Sequence, residues 1–277
     1  MHGETIAVIG GGNMGGAILV GLVKKNLDPE NLLVVEIDSR KRDDIKHTHN
    51  IACIEKLNST IGSYRTIVIA VKPAQVGGIL KELSPYICRE NLVISVAAGV
   101  EISYMEQMLP ENTPLVRTMP NIGAQVGAAA VAYCCNKCVS GEDRNKAERI
   151  ISSIGEPVKV NEKDMNAVTG LSGSGPGFVF LMVEALSEGG VLMGLDPSTA
   201  RELAVQTLYG CARFLKNTGM QPSQAKQLIT SPGGTTIEGL LQLEQGGFKA
   251  LVMNAVREAA RKSEIISSKF SKETPLE

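Results

Sequence analysis

Apolar residues gather in continuous runs through the first 160 positions: TIAVIG (5–10), LLVVEI (32–37), TIVIAV (66–71), NLVISVAA (91–98), LVRTMP (115–120) and AAAVAY (128–133). The runs are rich in Val and Ile and do not alternate with polar residues, the pattern of parallel strands covered on both faces. Helical spacing fills the gaps between the early runs, so a right-handed βαβ series is the economical connection. After EPVKV (156–160) the strand signals stop. Helical spacing then covers 176–194, 197–217, 222–229 and 235–266, broken at Asp196-Pro197, at Gly219 and at Ser231-Pro232-Gly233-Gly234. The most apolar run, FVFLMVEAL (178–186), is short and contains Glu184, so it reads as a buried helix and not a membrane span. The expected architecture is a doubly wound, mainly parallel α/β domain over 1–162, followed by an all-α domain over 163–277. Its polar end, SSKFSKETPLE, is expected to fray.

Composition narrows the function classes. With 277 residues, 43% apolar, 21% charged and a formal net charge of -1, the chain has the make-up of a soluble globular protein. It has no basic field for nucleic acid, and its start, MHGETIAVIG, runs into the first strand with no signal-peptide pattern. Six cysteines on such a background point to a reducing, cytoplasmic setting. Cys134, Cys135 and Cys138 cluster, but Cys53, Cys88 and Cys211 are scattered, and the histidines are His2, His47 and His49. A zinc site would need a second ligand pair, so structural thiols and no metal are expected.

Chemistry enters at the end of the first run. Gly10-Gly11-Gly12-Asn13-Met14-Gly15 matches G-x-G-x-x-G at Gly10, Gly12 and Gly15, with a strand before it and a helical stretch, AILVGLVKK, after it. Glu36 closes the second run, 21 residues past Gly15. That context is the dinucleotide fingerprint of a Rossmann-type domain: glycines for the tight turn and close backbone approach, a helix start for the diphosphate, an acid for a ribose. Opposite Glu36, a 2′-phosphate would meet repulsion on the order of 4 kcal/mol at 4 Å and an effective dielectric near 20. Arg40, Lys41 and Arg42 follow at once and can hold that phosphate, or can serve as a solvated helix start. NADPH and NADH both stay open at this point, with a slight lean to NADH.

The second half lacks the usual proton-transfer groups. No histidine lies beyond His49, and GFVFLMVEALSEGG, after the turn Leu171-Ser172-Gly173-Ser174-Gly175-Pro176, carries no Lys or Arg. Lys163 and Asp164 read as an exposed helix start. A hydride carrier without a strong general acid suits a protonated imine, which is already electrophilic. What such a substrate needs is orientation, and the free N–H groups of a helix start can clamp its carboxylate.

Six motifs then occur in order: GGGNMG, Ala70-Val71-Lys72-Pro73, SVAAGV (95–100), Met119-Pro120-Asn121, Leu171–Pro176 and SPGGTTIEGLLQLEQGGF (231–248). Together they closely resemble the pyrroline-5-carboxylate reductase family over residues 5–266. The resemblance implies reduction of 1-pyrroline-5-carboxylate to L-proline by NADPH or NADH. It also implies a helical dimerisation domain and assembly as a dimer or decamer, with no nucleic-acid or membrane partner. By the same resemblance, Ser231, Gly233, Gly234, Thr235 and Thr236 bind the substrate carboxylate at a dimer interface, and the catalytic Thr236 hydroxyl lies near the ring nitrogen as proton donor or hydrogen-bond partner. Thr235 and Thr236 are also expected to cap the next helix. The cofactor set it implies is Gly10, Gly12, Asn13, Met14, Gly15, Glu36, Ala70, Val71, Lys72, Pro73 and Asn121, the last toward the nicotinamide. Two positions depart from the family pattern: Val35-Glu36-Ile37-Asp38, where small or amide residues are common, and Gly177, where alanine is usual. The alternatives are a reductase of another cyclic imine or a hydroxy acid, and a non-catalytic nucleotide sensor. An intact SPGGTT turn argues against the sensor.

Overall fold

The computed structural model describes residues 3–270. They divide into two compact units, one formed by residues up to Gly173 together with those from Glu258 onward, the other Ser174–Arg257.

The first unit is built on one sheet of eight strands: β1 (Ile6–Ile9), β2 (Leu32–Val35), β3 (Ala52–Ile54), β4 (Thr66–Ile69), β5 (Leu92–Ser95), β6 (Leu115–Met119), β7 (Ala129–Cys135) and β8 (Gly155–Lys159). Their spatial order is β3-β2-β1-β4-β5-β6-β7-β8. The first six neighbours run parallel, β7 is antiparallel to β6, and β8 is parallel to β7. Helices α1 (Asn13–Lys24), α2 (Ser39–His49), α3 (Pro73–Leu83), α4 (Ile102–Glu106), α5 (Gly141–Ile151) and α6 (Met165–Val168) accompany the strands.

Burial on both faces explains the continuous apolar runs. In β1, Ile6 and Val8 join a core with Ile18, Leu19 and Leu22 of α1 and Ile150 of α5. Ala7 and Ile9 join the opposite core with Val76, Leu80 and Leu83 of α3 and Met105 of α4. Each fully buried aliphatic side chain of this kind is worth roughly 1.5–3 kcal/mol, so burial on both faces anchors the register that the ladder hydrogen bonds set. Strand β3 was not among the expected runs. It has three residues at the sheet edge, none of them buried, and so carries no apolar run.

The second unit contains α7 (Gly175–Leu192), α8 (Pro197–Thr218), α9 (Pro222–Leu228), α10 (Thr235–Gln245) and the start of α11 (Phe248–Phe270). The single helix expected over 235–266 is two helices. Gly246 and Gly247 separate them, with Gly247 in the left-handed region at φ +71, where a side chain is disfavoured. The helix α7 departs from its expected burial: no residue of it is buried, and Phe180 and Leu181 are 59% and 65% exposed. Inward packing in this unit is confined to small contacts such as Ala200 and Ala204 of α8. Apolar side chains left open in this number mark a surface made for another surface. By length and composition the stretch Glu162–Leu192 is also apolar enough to cross a membrane. The frayed end expected at SSKFSKETPLE lies largely outside the described residues; its first four, 267–270, finish α11 as ordered helix.

Candidate functional site

In an open parallel sheet, ligands sit at the carboxyl ends of the strands where the order reverses. Here that point is between β1 and β4. The chain leaves β1 through Gly10, whose N–H donates to Val35 O at 2.8 Å, and leaves β4 through Ala70, whose N–H donates to Ile9 O at 2.8 Å. Gly10 has φ +101, and a Cβ there would stand 2.6 Å from Ala70 O and 3.1 Å from Val71 Cγ1. A Cβ on Gly15 would overlap Gly10 O. These two glycines therefore let α1 and the β4 exit close on the loop. Gly12 differs: a Cβ would meet nothing within 4 Å. It is the N-cap of α1, with Asn13 and Met14 as the first helical residues, and no side chain caps their N–H groups. An open glycine over an uncapped helix start fits a diphosphate.

The acid at the end of β2 is fixed against this loop. Glu36 is 8% exposed. Gly11 N–H donates to its Oε2 at 2.7 Å and Asp38 N–H to its Oε1 at 3.0 Å. Asp38 caps α2, accepting from the N–H groups of Arg40 at 2.9 Å and Lys41 at 3.3 Å. Arg42 turns back on the strand: its Nη1 donates to the carbonyls of Glu36 and Ile37 at 2.7 and 2.8 Å, and its Nη2 pairs with Glu55 at 3.3 Å.

Lys72 is the N-cap of α3 and Pro73 its first residue, with the Lys72 N–H donating to Gln75 Oε1 at 3.2 Å. Both ends of the Asn121 amide are engaged. Its Oδ1 accepts from Gly123 N–H at 3.0 Å, and its Nδ2 donates to Ser172 O at 3.1 Å. Asn121 thus ties the exit of β6 to the wide helical turn Thr169–Gly173 that precedes α7. Sequence reading missed a second tie in the same region. The side chain of Arg117, buried in β6, pairs with Glu162 at 3.0 Å, and that carboxylate also accepts from Ile102 N–H at 2.8 Å. An arginine inside an otherwise apolar strand run was the available signal.

In the second unit, the turn Ser231–Gly234 leads into α10. Gly233 has φ +65, and Gly234 N–H donates to Ser231 O at 3.1 Å. Thr235 and Thr236 are the first two helical residues and not the caps. The N-cap needs an extended backbone, and Gly234 supplies it at φ -78, ψ 168. Glycine has no oxygen to offer, so no side chain caps α10. Its leading N–H groups therefore suit an acceptor from outside the chain. The Thr236 side chain stands on this first turn, half-buried.

Of the clustered thiols, Cys134 is buried and Cys135 and Cys138 are half-buried. Burial pushes the Cys134 thiol up to about 12 and raises that of Cys135. No group of three or more potential metal-ligating side chains occurs among the described residues. Because a raised pKa keeps the thiol protonated below it, Cys134 is expected to resist iodoacetamide at pH 8 in the native protein. Mass spectrometry should find it alkylated only after denaturant, and alkylation of native Cys134 at the rate of a free thiol would count against a structural role.

Comparison with known proteins covers nearly the whole chain. Residues 162–266 match the family model for pyrroline-5-carboxylate reductase dimerisation, and residues 5–99 match one described as NADP oxidoreductase coenzyme F420-dependent. A pyrroline-5-carboxylate reductase of Methanosarcina acetivorans is 40% identical over 270 residues, 97% of this chain and 100% of that protein. One from Synechocystis is 40% identical over 265 residues, 95% and 98% of the two chains. Among solved structures, a pyrroline-5-carboxylate reductase from Coxiella burnetii superposes with a TM-score of 0.91 at 34% identity, covering 95% of this chain and 98% of that one. A Plasmodium falciparum pyrroline carboxylate reductase with NADP bound gives 0.84 at 33%, covering 96% and 99%.

Proposed function

This chain belongs to the pyrroline-5-carboxylate reductase family, and from that premise we propose that it reduces 1-pyrroline-5-carboxylate to L-proline with NADPH or NADH, the final step of proline biosynthesis. The strongest support is the presence in one chain of an open glycine loop before α1 and an uncapped start to α10. One suits a diphosphate and the other a carboxylate.

The roles divide by unit. Gly10, Gly12, Asn13, Met14 and Gly15 hold the diphosphate with backbone N–H groups, and Glu36 stands at the adenosine ribose. Ala70, Val71, Lys72 and Pro73 wall the cleft beside Gly10. Asn121 acts as a clip, holding Ser172 in place. A bound reduced nicotinamide supplies the hydride for the imine carbon. At α10, Ser231, Gly233, Gly234 and Thr235 form the turn that fixes the substrate carboxylate at the uncapped N–H groups of the first helical turn, and the Thr236 hydroxyl hydrogen-bonds the ring nitrogen, donating to the lone pair that appears there as hydride reaches the carbon. Fixing the ring sets which carbon is presented, and orientation of this kind replaces the strong acid that the unit does not contain.

The protein self-associates through its helical dimerisation domain, and the finer reading is a dimer or a decamer built from dimers. The groove between α7 and α8, lined by Phe180, Val183, Val191 and Pro197, supplies the apolar face. The setting we infer is the cytoplasm, with a small-molecule substrate and without nucleic-acid or membrane partners. The purified protein should oxidise NADH or NADPH only when pyrroline-5-carboxylate is added, followed by loss of the reduced-nicotinamide absorbance. Silence with both cofactors would remove the assignment.

A further inference from the structure

We propose that Glu36 and Asp38 together select the cofactor at its ribose 2′ position, so that this enzyme takes NADH and rejects NADPH. The inference rests on the reductase reading of the glycine loop.

Three observations lead to it. The first is the placement of Glu36. Its backbone continues the sheet, with the N–H donating to Ile54 O at 3.0 Å, and its two carboxylate oxygens are held by the Gly11 and Asp38 N–H groups. A Cβ on Gly11 would lie 2.7 Å from Ile45 Cδ1 and 3.3 Å from Glu36 Oε2. The acid is therefore held against the loop, between α2 and the diphosphate cradle, by two hydrogen bonds that an outward swing to admit a phosphate would break. Ribose hydroxyls can donate to the remaining lone pairs of such a carboxylate, whereas a phosphate has no proton to offer it.

The second observation concerns the start of α2, where a 2′-phosphate would look for donors. The Asp38 carboxylate already takes the N–H groups of Arg40 and Lys41. A phosphate arriving there would meet a second negative charge in place of free N–H groups. The third concerns the basic trio that follows β2. Arg42, the half-buried one of its two arginines, spends its guanidinium on the carbonyls of Glu36 and Ile37 and on Glu55. That arrangement braces the strand-to-helix turn and so holds Glu36 where it is. Two carboxylates, a capped helix and a diverted arginine all act in one direction. What remains for a phosphate is Arg40 and Lys41, on the solvent side.

The test is direct binding of NADH and NADPH to the full-length protein, which separates cofactor choice from the reduction step. The chain has no tryptophan, so the nicotinamide fluorescence can be read without transfer from that residue. The expected result is a dissociation constant about 100-fold lower for NADH than for NADPH, less than the unscreened repulsion of two fixed charges would give. Glu36→Gln keeps an oxygen for Gly11 N–H and removes the charge, and it should bring the ratio below about 10-fold, mainly by tightening NADPH. Asp38→Asn keeps the cap and should move the ratio the same way by a smaller amount; it serves as the deciding variant if Glu36→Gln loses its melting transition. Equal affinities in the parent protein, tighter NADPH, binding of neither cofactor, or variants that leave the ratio unchanged would each overturn the inference. NADH binding without imine-dependent oxidation would instead overturn the reductase reading and leave the cofactor choice standing.

Discussion

Thr236→Ala lowers turnover with pyrroline-5-carboxylate about 100-fold, while the dissociation constant for NADH stays within about twofold of the parent value, if one hydrogen-bond donor at the reacting nitrogen has its usual weight. The substitution is a clean one. Position 236 is the second residue of α10, the N-cap is Gly234, and no side-chain cap is lost with the hydroxyl. Alanine is the best helix former, so the helix start should keep its shape. Thr236→Ser should recover most of the rate and Thr236→Val should resemble alanine, since valine preserves the volume and lacks the proton. Steady-state kinetics distinguish the roles. A fall in kcat together with kcat/KM assigns the hydroxyl to the transition state, whereas a rise in KM alone would make it a ground-state contact. Unchanged turnover would take Thr236 out of the chemistry.

A comparable loss is expected at the other end of the chain from Gly15→Ala, for a different reason. The added Cβ would overlap Gly10 O, a backbone atom that cannot rotate away. Either α1 moves off the sheet or the loop opens. Overpacking of this kind costs about 1–3 kcal/mol of stability, and the dinucleotide should bind at least about 100-fold more weakly because the helix N–H groups no longer converge on one point. Gly12→Ala is the informative partner. Its Cβ would meet nothing within 4 Å, so the melting temperature should stay the same while affinity for NADH falls. Calorimetry and binding titration on the pair separate a glycine needed by the fold from one needed by the ligand. If Gly12→Ala bound NADH like the parent protein, the space above Gly12 would not be the diphosphate site.

Much of this was legible in the residues, and the exceptions have physical causes. Strands buried on both faces announce themselves as Val/Ile runs, which is why β1, β2, β4 and β5 stand near their expected places. β3 was invisible because an edge strand of three half-exposed residues needs no apolar pattern. The helical stretch 235–266 kept its periodicity on both sides of Gly246-Gly247, so only backbone conformation reveals the break. FVFLMVEAL was read as buried because hydrophobicity says that a surface is covered and not by which chain. In the candidate sites, G-x-G-x-x-G and SPGGTT named the two loops, but cap assignment slipped by one or two residues at α10, where Gly234 takes the place expected for a hydroxyl. The engagement of Arg42 with the β2 carbonyls, and of the Asn121 Nδ2 with Ser172 O, depends on contacts across 5 to 51 positions of chain, which no local pattern encodes.

The course of α11 has a further consequence. The helix begins in the second unit and ends in the first, where the hydroxyls of Ser263 and Ser267 donate to Asn166 Oδ1 at 2.8 and 3.3 Å and Ile266 packs beside Gly99. The sheet-bearing unit is therefore discontinuous along the chain. On a ribosome its strands emerge first, yet the residues that close over Asn166 and Gly99 are made only after the helical unit. The nucleotide-binding half must wait, nearly complete, through the synthesis of the entire helical unit.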